Sequence, residues 1–269
     1  MKKQILYFCS FVPHRFLSEN GFEMISAYDL TESDGMKPVL SGNLCSFVKN
    51  CELIDFTRFD GVIFTNCCNS MQRLYDYVSY RYPEVYVIML NLPHEFYCKN
   101  YFTSLFESLS LRFHTQIQER NPLPEERNPE EDKEKILVLT SAIHKIYFQQ
   151  LQTIFKGYEL QLESCWSIPR GDRLLAGEKS VTCPRMLDYG NYLKGKIQSA
   201  DMVIFITLQR CDHIMFTYPI VNEICKSHHR KLLLVEEEYR ETIPAHSRIR
   251  YDAFLECIAL ERKVGERRL

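Results

Sequence analysis

The chain has 269 residues, of which 45% are hydrophobic and 25% are charged, and its formal net charge is −2 at pH 7. This composition is typical of a globular protein with one large core or two modest cores. The balanced charge argues against nucleic acid or an anionic membrane surface as a partner. No apolar stretch is long enough to span a bilayer, and Met1 is followed by a predicted strand instead of a signal peptide, so we expect a cytoplasmic protein.

Apolar runs and helical periodicity alternate along the first half of the chain. The apolar runs predict buried strands over residues 4–10, 22–28, 60–65 and 86–90. The segments between and after them predict helices near 14–17, from 45 to 51, from 69 or 70 onward, and over about 95–118. Strands that alternate with helices in this way form a parallel sheet with right-handed crossovers.

Residues 120–134 are rich in proline and acidic side chains and contain almost nothing to bury. This composition predicts a solvated linker between a first α/β domain, residues 1–119, and a second, residues 135–269. The second domain repeats the alternation, with predicted strands over 136–140, 159–164, 202–207 and 231–236 and predicted helices over 146–155, 192–199, 216–225 and 247–261. We therefore predict an α/β fold with two Rossmann-like parallel-sheet domains of similar topology and a cleft between them.

The chain contains 11 cysteines, which is many for a cytoplasmic protein, where disulfides are rare. Without disulfides, the thiols either fill the core or bind a metal. Apolar or aromatic neighbours in the sequence favour a core position for Cys9, Cys98 and Cys257. No Cys-x-x-Cys pair is present, so neither a zinc ribbon nor a ferredoxin-type motif is predicted.

Three other cysteines lie where a ligand-binding cleft is expected. Cys68 follows the third predicted strand, and Cys211 follows the corresponding strand of the second domain. Cys45 lies at the start of a predicted helix, whose backbone N–H groups and dipole favour a thiolate. Ligands bind at the carboxyl ends of parallel strands, so we expect Cys45, Cys68 and Cys211 to converge there. Three such thiolates are able to hold a four-iron cluster with one iron left open, or a zinc ion with one open position.

Three polar residues near the predicted cleft are candidates for further roles. Ser10 and His14 lie just past the first strand and are the candidates for acid–base catalysis, although residues of these types are also common at helix starts. His213, two residues after Cys211, is a candidate fourth metal ligand, although a polar loop residue is the more common role. Spacing alone identifies no acid–base pair.

Six stretches of the sequence occur in the order found in one protein family. They are residues 7–13, 43–51, 60–75, 163–166, 203–212 and 250–256. On these stretches the chain resembles the 2-hydroxyacyl-CoA dehydratase D-component and benzoyl-CoA reductase family. The resemblance implies an oxygen-sensitive [4Fe-4S] cluster bound by Cys45, Cys68 and Cys211, with Cys67 at a position where a small polar residue is expected. It also implies a lyase or reductase subunit that acts on an acyl-CoA thioester, using a low-potential electron from a separate ATP-dependent activator protein.

Several alternatives remain beside this hypothesis. Family members carry a helical insertion between their halves that helps to wall the acyl-CoA pocket, and here the insertion is reduced to residues 120–134. The chain is therefore either a catalytic subunit or a non-catalytic electron-transfer or accessory subunit, paired with itself or with a longer family member. A small-molecule reductase with a double-cubane iron–sulfur cluster is a further alternative, with Cys51, Cys67 and Cys225 as additional ligands. The remaining alternative is a two-domain protein that binds zinc or no metal. No Walker-type glycine loop is present, so ATP chemistry requires a partner.

Overall fold

The structure, a computed structural model, describes residues 2–30, 40, 42–92, 102–117, 133–178, 181–186 and 188–266. In the first half, four parallel strands form one sheet in the order β2-β1-β3-β4. These strands are β1 (Lys3–Tyr7), β2 (Phe22–Ser26), β3 (Gly61–Thr65) and β4 (Tyr86–Leu90). The helices described in this half are α1 (His14–Glu19), α2 (Ser46–Cys51), α3 (Asn69–Arg81) and α4 (Thr103–Phe113).

The second half has the same arrangement. Its four parallel strands follow the order β6-β5-β7-β8, which corresponds position by position to the first sheet. These strands are β5 (Lys135–Thr140), β6 (Glu159–Glu163), β7 (Met202–Leu208) and β8 (Lys231–Glu237). The helices are α5 (Lys145–Ile154), α6 (Arg170–Leu175), α7 (Tyr189–Gln198), α8 (Asp212–Ser227) and α9 (Ala245–Glu266). The predicted fold class, two parallel-sheet α/β domains of similar topology, is confirmed.

The central strands β3 and β7 explain why the sequence contains continuous apolar runs. Every residue of both strands is buried. In β3, Val62 and Phe64 pack into one core cluster and Ile63 into another on the opposite face of the sheet. A strand buried on both faces needs apolar residues at successive positions, not only at alternate ones. At their carboxyl ends the chain passes from β3 into α3 and from β7 into α8.

Hydrogen bonds join the halves at several places, including two contacts near the sheet edges. In the first, α6 lies against the chain between β1 and α1, and the N–H of Gly171 donates to the carbonyl oxygen of Ser10 at 2.8 Å. In the second, the start of α2 meets the loop after β7, and the N–H of Ser46 donates to the carbonyl oxygen of Gln209 at 3.2 Å. Because both contacts involve segments that follow strand ends, they hold the carboxyl edges of the two sheets close to each other.

Two helices differ from the sequence prediction. The helix predicted over 95–118 ends at Phe113, because His114 adopts a left-handed backbone conformation with φ of 52°. Its predicted start lies outside the described residues, as do residues 118–132 and therefore nearly all of the predicted linker. Helix α6 is absent from the prediction, because it contains Gly171 and Asp172, neither of which favours a helix interior.

The three cysteines predicted to lie in the core have three different outcomes. Cys257 on α9 is exposed, so that prediction is wrong. The helix buries Tyr251 and Ile258, seven residues apart on one face, and Cys257 lies off that face. Cys98 lies outside the described residues. Cys9 is buried, as predicted.

The helices were also compared with the requirements of a membrane span. Among the residues that the structure describes, no helix combines the length and the apolar character needed to cross a bilayer. The longest helix, α9, runs from Ala245 to Glu266 and carries several charged side chains along its length.

Candidate functional site

A cavity lies between the two halves, at the carboxyl edges of both sheets. It holds about 720 Å³ of space not filled by atoms, including the part that is open to solvent. Its wall is dominated by thiols and by apolar and aromatic side chains. Seven of the cysteines that the structure describes line it: Cys9, Cys45, Cys67, Cys68, Cys165, Cys183 and Cys211.

The three cysteines predicted as ligands are among these seven. Cys45, Cys68 and Cys211 are the N-cap residues of α2, α3 and α8 respectively. The Cys68 sulfur accepts a hydrogen bond from the N–H of Met71 at 3.4 Å, and the N–H of Cys45 donates to the Ser70 hydroxyl at 3.4 Å. The N-terminal ends of the two longer helices, α3 and α8, carry partial positive charge.

Four further cysteines complete the wall. Cys9 follows β1 and Cys165 follows β6, so both lie at the same sheet edges as the predicted ligands. Cys67 precedes Cys68, and a hydrogen bond to the Cys68 side chain raises the pKa of the Cys67 thiol well above its ordinary value. Cys183 comes from the loop before α7.

Two cysteines proposed as additional ligands lie away from the cavity. Cys51 is buried in the core of the first half, and Cys225 is buried in the core between α7, α8 and the second sheet. Neither contributes to the cavity wall. Of the three additional candidates, only Cys67 lines the cavity.

Burial holds several thiols of the cavity wall in their neutral form. Burial, together with the smaller effect of the neighbouring Cys211, raises the pKa of Cys45 to about 12. Burial likewise raises the pKa of Cys9 and of Cys183 to about 12. A buried thiolate without a positive partner is unfavourable, so a soft cation is required before these sulfurs lose their protons.

We expect the metal-free protein to lose stability steeply at alkaline pH. In the unfolded chain a thiol releases its proton above about pH 8.5, whereas Cys9, Cys45 and Cys183 keep theirs up to about pH 12 when folded. Stability is therefore complete below the unfolded pKa and falls as the pH rises towards the folded pKa. Each thiol contributes a slope of about 1.4 kcal/mol per pH unit, so the three together contribute about 4 kcal/mol per unit.

Urea unfolding of metal-free protein at pH 7.5, 8.5 and 9.5 measures this slope. Cys183→Ala should reduce it by about 1.4 kcal/mol per pH unit. Cys257→Ala is the matched control, because this exposed thiol should leave the slope unchanged. A free energy of unfolding that stays constant between pH 8.5 and 9.5 would contradict the expectation.

Of the two candidates for acid–base catalysis, Ser10 and His14, only Ser10 lies in the cavity wall. Ser10 lines the cavity, and its hydroxyl accepts a hydrogen bond from Arg170 Nη1 at 3.0 Å. His14 is not part of the cavity wall. Its ring stacks on Tyr7 with centroids 5.1 Å apart, and its Nδ1 lies 3.5 Å from Asp172 Oδ2 in the contact between the halves. Burial lowers the pKa of His14 and raises that of Asp172, so both charged forms are disfavoured.

Arg170 is a functional candidate that the sequence analysis does not identify. Its side chain is only 1% exposed, and its guanidinium borders the cavity. Nε donates to the Thr182 carbonyl oxygen and Nη1 to the Ser164 carbonyl oxygen, both at 2.8 Å, and Nη2 pairs with Glu163. Burial opposes the charged form, yet the Glu163 carboxylate raises the pKa of Arg170 above its ordinary value, so the guanidinium stays charged. No periodic pattern in the sequence marks this residue, because it lies on the short helix α6.

The cavity continues outward into a wider cleft, which we call the outer cleft. It holds about 1090 Å³ of space, including its open side, and shares Cys45, Cys68 and Cys211 with the cavity. His213, the candidate fourth ligand, lines both spaces. Among the described residues, no group of three or more His, Cys, Asp or Glu side chains is arranged to hold a single metal ion as it stands.

Comparisons with known proteins give no family for this chain. No protein-family model matches it, and no curated protein matches it. Among solved structures, the periplasmic zinc-binding protein TroA from Treponema pallidum is similar over 94% of this chain and 99% of TroA, at 9% sequence identity and a TM-score of 0.28. Similarity this low says nothing about what this chain binds.

Proposed function

We propose that this protein binds a [4Fe-4S] cluster through Cys45, Cys68 and Cys211, as the cluster-bearing subunit of a 2-hydroxyacyl-CoA dehydratase-like or acyl-CoA reductase-like system. The observation that carries the proposal is the convergence of these three cysteines, from both halves of the chain, on one cavity. Each lies at a helix N-cap that follows a loop at a sheet edge. Core filling alone gives no reason for thiols from three separate loops to share one wall.

The donor set of the cavity fits an iron–sulfur cluster. Thiolates are the ligands that such clusters use, and soft sulfur donors suit iron–sulfur or zinc chemistry better than hard cations. A cluster spreads its ligands over several iron atoms, so it does not need three side chains to surround one point. Three such ligands would leave one iron without a protein ligand.

The chain's own residues would exclude water and orient the substrate. When bound, a cluster of this kind supplies one-electron chemistry and an open iron that acts as a Lewis acid. Around it, Phe8, Phe47 and Met71 provide apolar walls that lower the local dielectric constant. Ser10, fixed by Arg170, is the hydroxyl placed to hold or move a proton at the cavity wall. We place the protein in the cytoplasm, with an acyl-CoA substrate and an ATP-dependent activator protein as electron donor.

A second candidate function follows from the remaining four thiols. Cys9, Cys67, Cys165 and Cys183 line the same cavity, next to the charged guanidinium of Arg170. Seven thiols are more than one cubane with an open iron requires. The excess favours a double-cubane cluster and a small-molecule reductase as the alternative to an acyl-CoA enzyme.

Iron analysis of anaerobically purified protein tests both candidates. We expect about four irons and four acid-labile sulfides per chain for a single cubane and about eight irons for a double cluster. Cys45→Ala, Cys68→Ala and Cys211→Ala should each lose most of the iron and the EPR signal of the reduced protein. Cys225→Ala is the matched control, because this thiol is buried but does not line the cavity.

Retention of iron in all three variants, or protein that holds only zinc after anaerobic reconstitution, would overturn the proposal. Loss of iron in Cys9→Ala or Cys183→Ala as well would support the double cluster. If iron is bound, turnover of an acyl-CoA thioester with an added activator separates a catalytic subunit from an accessory electron-transfer subunit.

A further inference from the structure

The outer cleft has a composition that differs from the cavity behind it. Arg185 and His213 line both spaces, whereas Arg210 and the amide side chains of Asn66 and Asn69 line the cleft and not the cavity. Arg185, Arg210 and His213 come from the second half, and Asn66 and Asn69 come from the first. A ligand in this space would therefore contact both halves and the cysteines at the base of the cleft.

Each of the two arginines donates a hydrogen bond to the first half of the chain. Arg185 Nη2 donates to the carbonyl oxygen of Leu92, directly after β4. Arg210 Nη1 donates to the Asn43 side-chain oxygen at 2.9 Å. Arg210 also adopts a left-handed backbone conformation, with φ of 61°, which is uncommon for a residue other than glycine. Fixed guanidinium groups lose little conformational entropy when they bind a ligand.

The first half of the chain contributes further hydrogen-bond donors to the wall of the outer cleft. Asn66 Oδ1 accepts the N–H of Leu92 at 2.6 Å, so its amide nitrogen is the group that remains for a ligand. Asn69 is the first residue of α3, a helix of 13 residues whose N-terminal end carries partial positive charge. Among the described residues that line the cleft, Asp212 carries the single carboxylate. The cleft is thus rich in donors and positive charge.

We infer that the outer cleft binds the oxyanion end of a small-molecule substrate, a carboxylate or a phosphate group, through Arg185, Arg210 and the amide side chains of the cleft wall. A planar guanidinium offers two parallel N–H donors that match a carboxylate or phosphate. An anion held there leaves the rest of the molecule directed towards Cys45, Cys68 and Cys211 at the base of the cleft. The inference rests on the proposed function for the reaction that follows, but the binding itself requires no iron.

Isothermal titration calorimetry of purified protein tests this inference. The probes are succinate and inorganic phosphate, with succinamide as the uncharged analogue. We expect at least one of the two anions to bind and succinamide not to bind. Arg210→Gln, which removes an exposed cation, and Arg185→Gln should each weaken binding by about tenfold or more, the loss typical of a hydrogen bond to a charged group. Arg248→Gln, an equal charge change on the exposed face of α9, should leave the affinity unchanged.

The two anions distinguish the chemical source. Binding of succinate alone identifies a carboxylate substrate, and binding of phosphate alone identifies a phosphorylated one. Absence of binding by both anions, or equal affinity in Arg210→Gln and Arg248→Gln, would overturn the inference. The iron content of each sample is measured in parallel, so iron without anion binding refutes only the oxyanion site, and anion binding without iron refutes only the cluster.

Discussion

Gly171→Ala should be among the most destabilising single substitutions in this protein. A Cβ atom at residue 171 would lie 2.3 Å from the carbonyl oxygen of Phe11 and 2.8 Å from the nitrogen of Pro13. Both are backbone atoms, so no flexible side chain is available to move aside. Helix α6 would have to withdraw from the first half, with loss of the Gly171–Ser10 hydrogen bond. Overpacking typically costs about 1–3 kcal/mol. We expect the free energy of unfolding to fall by about 3 kcal/mol or more.

Gly195→Ala is the matched control for this substitution. Gly195 lies inside α7, and a Cβ atom there meets nothing within 4 Å. Alanine is the better helix former, so this variant should gain about 0.5–1 kcal/mol. Urea unfolding of both variants, followed by circular dichroism, gives the two free energies. Equal stability of Gly171→Ala and the unsubstituted protein would show that α6 does not pack against the first half as described.

Removing one partner of the buried Arg170–Glu163 pair should have a comparably large effect. Both side chains are 2% exposed, and Glu163 also accepts a hydrogen bond from the Tyr192 hydroxyl at 2.7 Å. Arg170→Met leaves Glu163 Oε1 and two carbonyl oxygens without the donor that they have in the unsubstituted protein. Glu163→Gln leaves the guanidinium without its counter-charge. Breaking a buried ion pair in this way costs about 3–5 kcal/mol.

The double variant distinguishes a coupled pair from two independent residues. Arg170→Met combined with Glu163→Gln should cost less than the sum of the single variants, by about 2 kcal/mol, because neither charge remains buried alone. Asp252→Asn breaks the exposed Arg248–Asp252 pair on α9 and serves as the control, with an expected change below about 1 kcal/mol. Additive single effects at residues 163 and 170 would rule out the coupling.

The regular elements could be predicted because their sequences carry strong local signals. Strand β4 occupies 86–90, as predicted, and β3 and β7 are continuous apolar runs flanked by turn residues. Local signals fail where tertiary contacts decide the structure. Helix α6 is six residues long and contains Gly171 and Asp172, neither of which favours a helix interior. The helix forms because the first half provides partners for it. One example is Asp172, whose carboxylate accepts a hydrogen bond from the N–H of Phe16 at 2.9 Å.

The candidate site could be predicted only in part for the same reason. The rule that ligands lie at the carboxyl ends of parallel strands leads to Cys68 and Cys211, and the structure brings both to the cavity. The same rule applied to β1 and β6 would have added Cys9 and Cys165. Cys183 gives no such signal, because it lies in a loop and reaches the cavity only through packing against the first half.

The division of the cavity wall between two similar halves has a consequence for assembly. Each sheet is formed by strands that lie close in sequence, so each half is able to fold as a unit before the two meet. Cys45 and Cys68 belong to the first half and Cys211 to the second, and they come together only on docking. A metal that binds across this junction would therefore be loaded only after the second half is synthesised, and it would stabilise the docked state over the separated one.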